Sequence, residues 1–278
     1  MEHKEVMSMS YTRKDIINEL EKRGYKAIPN DVFRNNVKLE GIVIGDKKIN
    51  PCIYVDDFIK SGFDLEETTT YIINIYEGSK SVDFNVNEIL SKEWVLNNVF
   101  VALQKTSQKE FVIKRPTKFD GIEEYLYIKG SDYSIRINEG LLSHLDLSES
   151  NLWKRAYENT FCKEEISIQS ISKAIGLFED DYEDDFPLYV VTNKDKFKGS
   201  VAIFSDEVIS FARAKGAKYL LALPSSIHEF LIYIVKDDVS LSELEEMKEN
   251  MTSIICSVNE NVVDEIERLG DKPYVIEI

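Results

Sequence analysis

The short connections between apolar runs near the carboxyl end of this sequence constrain its fold more than any other feature. The runs typical of short strands are residues 188–192, 199–204, 218–223 and 227–235, and in two places only a few residues separate neighbouring runs. Parallel strands need a crossover of about a dozen residues or more, so each closely linked pair must be antiparallel. The sequence therefore predicts an α+β fold of mostly antiparallel sheets rather than a doubly wound α/β fold.

Helix starts are marked by a hydroxyl residue with one apolar residue before it and another four positions into the helix. The hydroxyl accepts a hydrogen bond from a backbone N–H, and the two apolar residues pack against each other. The pattern occurs at Thr12, Ser148, Ser167, Ser205 and Ser240. We expect capped amphipathic helices at these positions, a further helix that starts at Asp64, and a helix over residues 241–250.

Strand signals also occur in the first half of the chain. Apolar runs at 37–44 and 49–55 flank a Gly-Asp-Lys-Lys turn, and runs at 122–128 and 133–137 flank a Lys-Gly-Ser-Asp turn. Both arrangements predict hairpins. Residues 99–103 are typical of a buried strand, and a last strand is expected near 273–277.

A dense acidic segment divides the sequence. Its six acids in seven positions are Glu179, Asp180, Asp181, Glu183, Asp184 and Asp185. Like charges at this density resist packing, so we interpret residues 179–186 as a solvated connector between two subdomains, 1–178 and 187–278. A calcium loop is the functional alternative, but the spaced ligands and central glycine of such a loop are missing.

The negative charge of the chain is concentrated at one end. The formal net charge is −16, and residues 179–278 carry 22 acidic and 10 basic side chains, which is −12 of that total. Such a field repels nucleic acid and anionic lipid and attracts basic partners. Solubility alone explains this charge, whereas mimicry of a nucleic-acid backbone is the sharper hypothesis. Candidate binding acids on the predicted last helix are Glu243, Glu245, Glu246 and Glu249.

Ser225, Ser226 and His228 suggest a serine hydrolase, with Asn193 as a further polar group that could reach the same turn. A nucleophilic serine needs a base within hydrogen-bond reach, and the base needs an orienting group. If 227–235 is a strand, His228 and Glu229 project to opposite faces and cannot pair. The structural interpretation is that Pro224 shapes a turn and the serine hydroxyls bind its backbone. A hydrolase would instead require a distant carboxylate at His228.

Other site signals are weak. The three histidines, His3, His144 and His228, are far apart in the sequence, and neither a P-loop nor a G-x-G-x-x-G follows a strand. We therefore expect no metal and no cofactor. Residues 105–118 contain five basic residues, with Phe111 and Phe119 nearby. This composition is compatible with nucleic-acid binding, but a solvated loop is the simpler interpretation.

Cysteine usage and hydropathy bear on the cellular location of the protein. Three cysteines far apart in the sequence, and no run of about 18 apolar residues, predict a cytoplasmic protein without disulfides or membrane spans.

Several segments resemble a family of uncharacterised proteins from gut Firmicutes, defined by a domain of unknown function. The resemblance rests on Asn36-Val-Lys-Leu-Glu-Gly-Ile-Val-Ile, Pro51-Cys-Ile-Tyr-Val, Ala156-Tyr-Glu-Asn-Thr-Phe, Leu188-Tyr-Val-Val-Thr-Asn, Gly199-Ser and Leu223-Pro-Ser-Ser-Ile-His-Glu. It implies a shared fold and a cytoplasmic bacterial protein. The resemblance also associates the chain with mobile elements and phage-related islands, which makes an anti-defence role a hypothesis. Residues 250–271 depart from the family pattern.

Three functional hypotheses follow. The first is a non-enzymatic acidic binding protein that occupies a basic protein surface, such as that of a nucleic-acid-binding or defence protein. The second is a serine- and histidine-dependent hydrolase. The third is a housekeeping interaction module without mimicry, whose surface acids tolerate charge reversal.

Overall fold

Two separate groups of sheets and helices make up the chain, one in Met1–Asn85 and the other in Val86–Ile278. The computed structural model describes residues 11–46, 50–80, 89–131, 133–176, 187–236, 239–261 and 263–278. The predicted acidic connector, 179–186, lies outside these residues, and the division predicted there stays a prediction. The strands on either side of that segment pair with each other in one sheet of the larger unit.

The smaller unit packs helices on a three-stranded antiparallel sheet of order β1-β2-β3. Its elements are α1 (Arg13–Lys22), β1 (Ala27–Arg34), β2 (Val37–Ile44), β3 (Cys52–Tyr54), α2 (Asp56–Lys60) and α3 (Leu65–Ser79). Both predicted caps are present, since Thr12 and Asp64 each form a capping box with the acid three positions on. Apolar side chains of α1, β2 and α3 form its core, among them Ile16, Leu20, Ile42 and Ile72.

The hairpin predicted from residues 37–55 is confirmed by the antiparallel pairing of β2 with β3. The strand before it, β1, was not predicted. It joins β2 through Asn35 and Asn36, which both have a positive φ, as a tight two-residue hairpin turn requires. The Asn-Asn pair between two strand-like runs was the local signal for this hairpin.

The larger unit contains the other elements that the described residues form. They are α4 (Lys92–Asn98), β4 (Val99–Lys105), β5 (Lys114–Pro116), β6 (Ile122–Lys129), β7 (Ser134–Arg136), α5 (Glu139–His144), α6 (Glu149–Cys162), β8 (Ile166–Ser170), α7 (Ile171–Ala174), β9 (Leu188–Asn193), a 3₁₀ helix (Gly199–Phe204), α8 (Asp206–Ala214), β10 (Tyr219–Leu223), β11 (Phe230–Val235), α9 (Leu241–Asn261) and β12 (Tyr274–Glu277). The order confirms the α+β class.

Two antiparallel sheets organise this unit. In the first, β6 pairs with β4, β5 and β7, and the β6–β7 hairpin is the one predicted at 122–137. The second has the order β12-β10-β11-β9-β8. The inner side of α9 covers the second sheet with Leu244, Met251 and Ile255, which pack in the same core as Leu221 and Leu231. Burial of each such side chain contributes roughly 1.5–3 kcal/mol.

Three sequence predictions in this unit are corrected. Residues 199–204 form a 3₁₀ helix rather than a strand, so one of the two predicted strand pairs does not exist. The helix expected at Ser167 is strand β8, and the short helix α7 begins after the cap Ser170. Strand β11 begins at Phe230 rather than at 227, because residues 226–229 form a turn. Tertiary pairing decided each of these segments, since their local patterns suit either structure.

Candidate functional site

The Pro-Ser-Ser turn after β10 is held by the backbone of a second segment, residues 267–270. Ile227 N–H donates to the Glu267 carbonyl at 2.8 Å, and Gly270 N–H donates to the Pro224 carbonyl at 3.1 Å. Within the turn, the Ser226 hydroxyl accepts from the His228 backbone N–H at 3.1 Å. Both serines are buried. The turn is therefore buried and paired with this segment at both of its ends.

The 3₁₀ helix approaches this turn at very close range. Thr192 and Ser200 donate their hydroxyls to the carbonyls of His228 and Ile227, each at 2.8 Å. A Cβ on Gly199 would lie 2.5 Å from the Asn193 nitrogen and 2.9 Å from the His228 oxygen. Only glycine fits at this position, because backbone atoms surround it.

Both ring nitrogens of His228 have partners. Nδ1 accepts the Lys198 backbone N–H at 3.1 Å, and Nε2 lies 3.3 Å from a Glu267 carboxylate oxygen. An Nδ1 that accepts a hydrogen bond carries no proton, so this arrangement assigns the ring proton to Nε2, which donates to Glu267. The structure thus brings a distant carboxylate to the histidine, as the hydrolase hypothesis required.

The serine part of that hypothesis has no counterpart in this geometry. Ser226 bonds the backbone of His228 rather than its ring, and the ring has no nitrogen left to accept a serine proton. Asn193 bonds Glu164 at 3.0 Å and the Phe197 carbonyl at 2.9 Å, which fixes the loop before the 3₁₀ helix. Ser226 thus supports the turn at Pro224, and Asn193 supports the loop before the 3₁₀ helix.

A small cavity lies next to Glu229. Its volume is about 60 Å³, and Ser167, Gln169, Ala174, Val190, Thr192, Lys196 and Glu229 line it. Burial raises the pKa of Glu229, and the charge of the Lys196 ammonium opposes that change. A space of this size holds about two water molecules, far less than a typical substrate pocket.

Lys198 is the most unusual residue near the turn, and sequence reasoning missed it. Its backbone is left-handed, with φ of 53°, and the residue is only 8% exposed. The ammonium group donates to the Tyr125 hydroxyl at 2.9 Å and lies 5.1 to 5.6 Å from the ring centres of Phe197, Tyr127 and Tyr125. Aromatic faces and a phenol oxygen stabilise this buried cation.

A buried polar network continues from Tyr125 through the first sheet. The Arg136 guanidinium carbon lies 4.4 Å from the Tyr125 ring centre, and Arg136 pairs with Glu110 and Gln104. Burial acts to raise the pKa of Tyr125, but the charges of Lys198 and Arg136 outweigh it and lower that pKa. Tyr125 and Tyr127 are two positions apart on β6 and so lie on the same face of the sheet. This two-residue period was the one sequence signal for the network.

The basic segment 105–118 is largely engaged with the protein itself. Lys114 binds Glu123 at 2.9 Å, Arg115 stacks on Trp153, and Lys118 lies over the Phe119 ring. Phe111 is exposed whereas Phe119 is buried. The described contacts of these three cations are thus internal to the protein.

The predicted acidic residues of the last helix lie on the outer side of α9. Glu243, Glu245, Glu246 and Glu249 are all exposed, while Leu244 faces the core. Glu243 completes a capping box with Ser240, which lowers its pKa, and Glu245 binds Lys248 at 3.0 Å. The six acids predicted at Glu179, Asp180, Asp181, Glu183, Asp184 and Asp185 lie outside the described residues.

Two further features of the described residues bear on function. Their His, Cys, Asp and Glu side chains form no group of three that could hold a metal ion. In the same parts of the chain, every helix is too short or too polar to span a bilayer.

The relationship of the chain to known proteins follows from one comparison. The model of a family of unknown function, DUF5688, matches residues 9–277. The chain belongs to the DUF5688 family. The match spans both units of this DUF5688 protein and includes the turn at Pro224 and all of α9. Searches of curated proteins and of solved structures gave no match.

Proposed function

We propose that this DUF5688 protein is a non-enzymatic binding protein that presents the outer side of α9 to a basic surface of a partner protein. The observation that supports the proposal is the exposure of four glutamates within seven residues of a helix whose inner side is buried in the core. Because α9 is anchored, its outer side is held in place before a partner arrives, which lowers the entropic cost of binding.

Glu246 and Glu249 carry the proposal most directly. They lie three positions apart, so about 5–6 Å separates their Cβ atoms on one side of the helix. Capping and the Lys248 contact occupy the carboxylates of Glu243 and Glu245, whereas the carboxylates of Glu246 and Glu249 bind no other side chain among the described residues. A pair of solvated carboxylates on a protein of charge −16 attracts a basic surface and accelerates association.

The finer form of the proposal is mimicry of a nucleic-acid backbone. Acids repeated at each turn of a helix form a row of negative charges, as phosphates do along a strand. A cytoplasmic nucleic-acid-binding or defence protein would be the target, and occupation of its basic groove would inhibit it. The alternative is a housekeeping interaction module, which would present the same acidic surface to a partner without mimicking a nucleic acid.

The test compares two double charge reversals. Glu246→Lys with Glu249→Lys changes the outer side of α9, and Glu265→Lys with Glu277→Lys makes the same change at exposed acids elsewhere in the last hundred residues. Each protein is used to capture partners from bacterial lysate at about 50 and about 300 mM salt, because high salt screens exposed charges. We expect a basic partner that is lost at high salt and in the first variant only. Capture that is equal for both variants, or insensitive to salt, contradicts the proposal.

A hydrolase remains the second candidate because of the contact between His228 and Glu267. It predicts that Ser226→Ala and His228→Ala abolish turnover and leave the melting temperature nearly unchanged. The hydrogen bonds of both residues to the turn and its neighbours predict instead that each substitution lowers the melting temperature. Differential scanning fluorimetry of the two variants distinguishes these outcomes.

A further inference from the structure

An open cavity lies beside α6, away from α9 and from the turn at Pro224. Its volume is about 650 Å³, and its lining residues are Arg115, Glu149, Ser150, Trp153, Lys154 and Tyr157. This volume is in the range of about 300–1,000 Å³ found for small-molecule sites. The cavity combines two cations with two aromatic side chains, on a chain whose net charge is strongly negative.

The orientation of Arg115 is fixed by the surfaces around it. Its guanidinium carbon lies 4.1 Å from the ring centre of Trp153 and 4.9 Å from that of Tyr157. These two aromatic residues are four positions apart on α6 and so present their rings on the same side of the helix. Stacking holds the plane of the guanidinium group and leaves its N–H edges available for hydrogen bonds.

Arg115 and Tyr157 both contact one carboxylate, that of Glu124. Glu124 lies opposite Arg115 in the β5–β6 pair, accepts the Tyr157 hydroxyl, and is 3.5 Å from a guanidinium nitrogen. Burial raises the pKa of Glu124, which the hydrogen bond to Tyr157 and the charge of Arg115 oppose. Arg115 has five N–H donors, and these contacts occupy only some of them. The remaining donors lie at a cavity wall.

The other two charged groups of the cavity are opposite in sign, a carboxylate on Glu149 and an ammonium on Lys154. The Glu149 carboxylate is engaged by the Trp153 indole N–H at 3.0 Å. Lys154 is exposed at the rim, and the hydroxyl of Ser150 is also at the surface. A guanidinium plane with free edges, a nearby ammonium and a hydroxyl together suit a carboxylate or phosphate group, which Arg binds through two parallel hydrogen bonds.

We propose that this cavity binds a small organic anion through a carboxylate or phosphate group held by Arg115 and Lys154. The organic part of the ligand occupies the remaining volume beside Tyr157. This proposal is independent of the one made for α9, because the two surfaces share no residue and require ligands of opposite charge.

The test uses the fluorescence of Trp153. Because the chain has two tryptophans, Trp94→Phe leaves Trp153 as the only indole reporter. This protein is titrated with citrate, phenyl phosphate and inorganic phosphate to about 20 mM at constant ionic strength, with benzyl alcohol as the neutral probe. We expect a saturable change with an organic anion, a weaker response to inorganic phosphate and none to benzyl alcohol.

Three substitutions in the Trp94→Phe background complete the experiment. Arg115→Lys keeps the charge but loses the planar fork, and we expect affinity to fall at least about tenfold. Lys154→Gln is a surface change that does not disturb Glu124, and we expect a loss of about threefold. Lys236→Gln removes an exposed cation elsewhere and is expected to have no effect. The absence of a saturable change with every anion, or equal affinity in all variants, overturns the proposal.

Discussion

Gly199 illustrates how a single residue supports the turn near His228. Its side-chain position is filled by backbone atoms of Asn193 and His228, so the 3₁₀ helix can approach the turn only because a Cβ is missing there. The φ of Gly199 is not what requires glycine, since the backbone of the preceding residue is the left-handed one. Close approach is the reason.

Gly199→Ala is therefore expected to destabilise the protein by about 1–3 kcal/mol or more, because backbone atoms must move to admit the methyl group. The measurement is the urea unfolding midpoint. Gly78→Ala is the matched control, because its added Cβ meets nothing within 4 Å in α3 and alanine favours helix by about 0.5–1 kcal/mol. A Gly199→Ala protein as stable as the unchanged one contradicts the close approach.

Tyr157 gives a pH-dependent prediction at the same scale. Burial, and then its hydrogen bond to Glu124, raise the pKa of Tyr157 to about 12. A tyrosine in the unfolded chain has a pKa near 10. The folded state therefore holds this proton more tightly, so the associated stability is fully present below about pH 10 and is lost as the pH rises towards 12.

We expect Tyr157→Phe to lose part of this alkaline sensitivity. The unfolding midpoint in urea would be measured between about pH 9 and pH 12 for both proteins, and the difference between them should narrow as the pH rises. Tyr54→Phe, at an exposed position, serves as the control. Parallel curves for the Tyr157→Phe and unchanged proteins would show that the phenol is not held as described.

At the scale of elements, α9 extends well beyond the helix predicted at 241–250. The prediction ended at residue 250, whereas the structure continues the helix to Asn261. Ile255 in the added part is 2% exposed, and its neighbour Ile254 is 42% exposed. Packing on the five-stranded sheet explains the extension, since the inner side of the helix remains apolar.

The two adjacent isoleucines allow a matched test of this packing. Ile255→Ala is expected to cost about 2–5 kcal/mol in unfolding free energy, through lost burial and a residual cavity. Ile254→Ala makes the same chemical change on the outer side and should cost about 0.5 kcal/mol. If chemical denaturation gives similar losses of unfolding free energy for the two variants, α9 does not bury the side that carries Ile255.

Local rules explain which elements could be predicted from the sequence. Caps such as Thr12 and Asp64 depend on residues three positions apart, and the β6–β7 hairpin depends on its turn. Strand β8 and the 3₁₀ helix depend on partners across the sheet or the turn, so local patterns did not identify them. The contact between Lys198 and Tyr125 joins residues 73 positions apart, which no local pattern reveals.

The candidate site shows the same division. Ser225 and Ser226 were interpreted as residues of a turn, and the Ser226 hydroxyl does bind the backbone of that turn. Asn193 was expected to approach the same turn, whereas its side chain binds Glu164 and the Phe197 backbone. Glu267 could not be assigned to His228, because 39 positions separate the two and only the pairing of segment 267–270 with the turn joins them. The exposure of the α9 glutamates followed from helical periodicity alone.

At the scale of the whole molecule, each of the two units has its own core. Ile16, Leu20 and Ile72 belong to the first, and Leu221, Leu231 and Ile255 belong to the second. A unit with its own sheets and core has what independent folding requires.

A fragment of residues Val86–Ile278 is therefore expected to fold alone. It should give a cooperative thermal transition and dispersed amide signals in a proton–nitrogen NMR spectrum. A fragment of residues 187–278 contains β9 but lacks its partner β8. It serves as the contrasting case, in which we expect the cooperative thermal transition to be lost. A disordered Val86–Ile278 fragment would show that the second unit needs the first.

Lys198 links the two sheets of the larger unit through two different ends of one residue. Its ammonium group binds the Tyr125 hydroxyl in the first sheet, and its backbone amide binds the imidazole of His228, just before β11 of the second sheet. Hydrogen–deuterium exchange at this one amide would therefore report on a separation of the sheets. If the two sheets separate only when the whole unit unfolds, the Lys198 amide proton should exchange as slowly as the slowest amide protons of β6, although Lys198 lies in a loop.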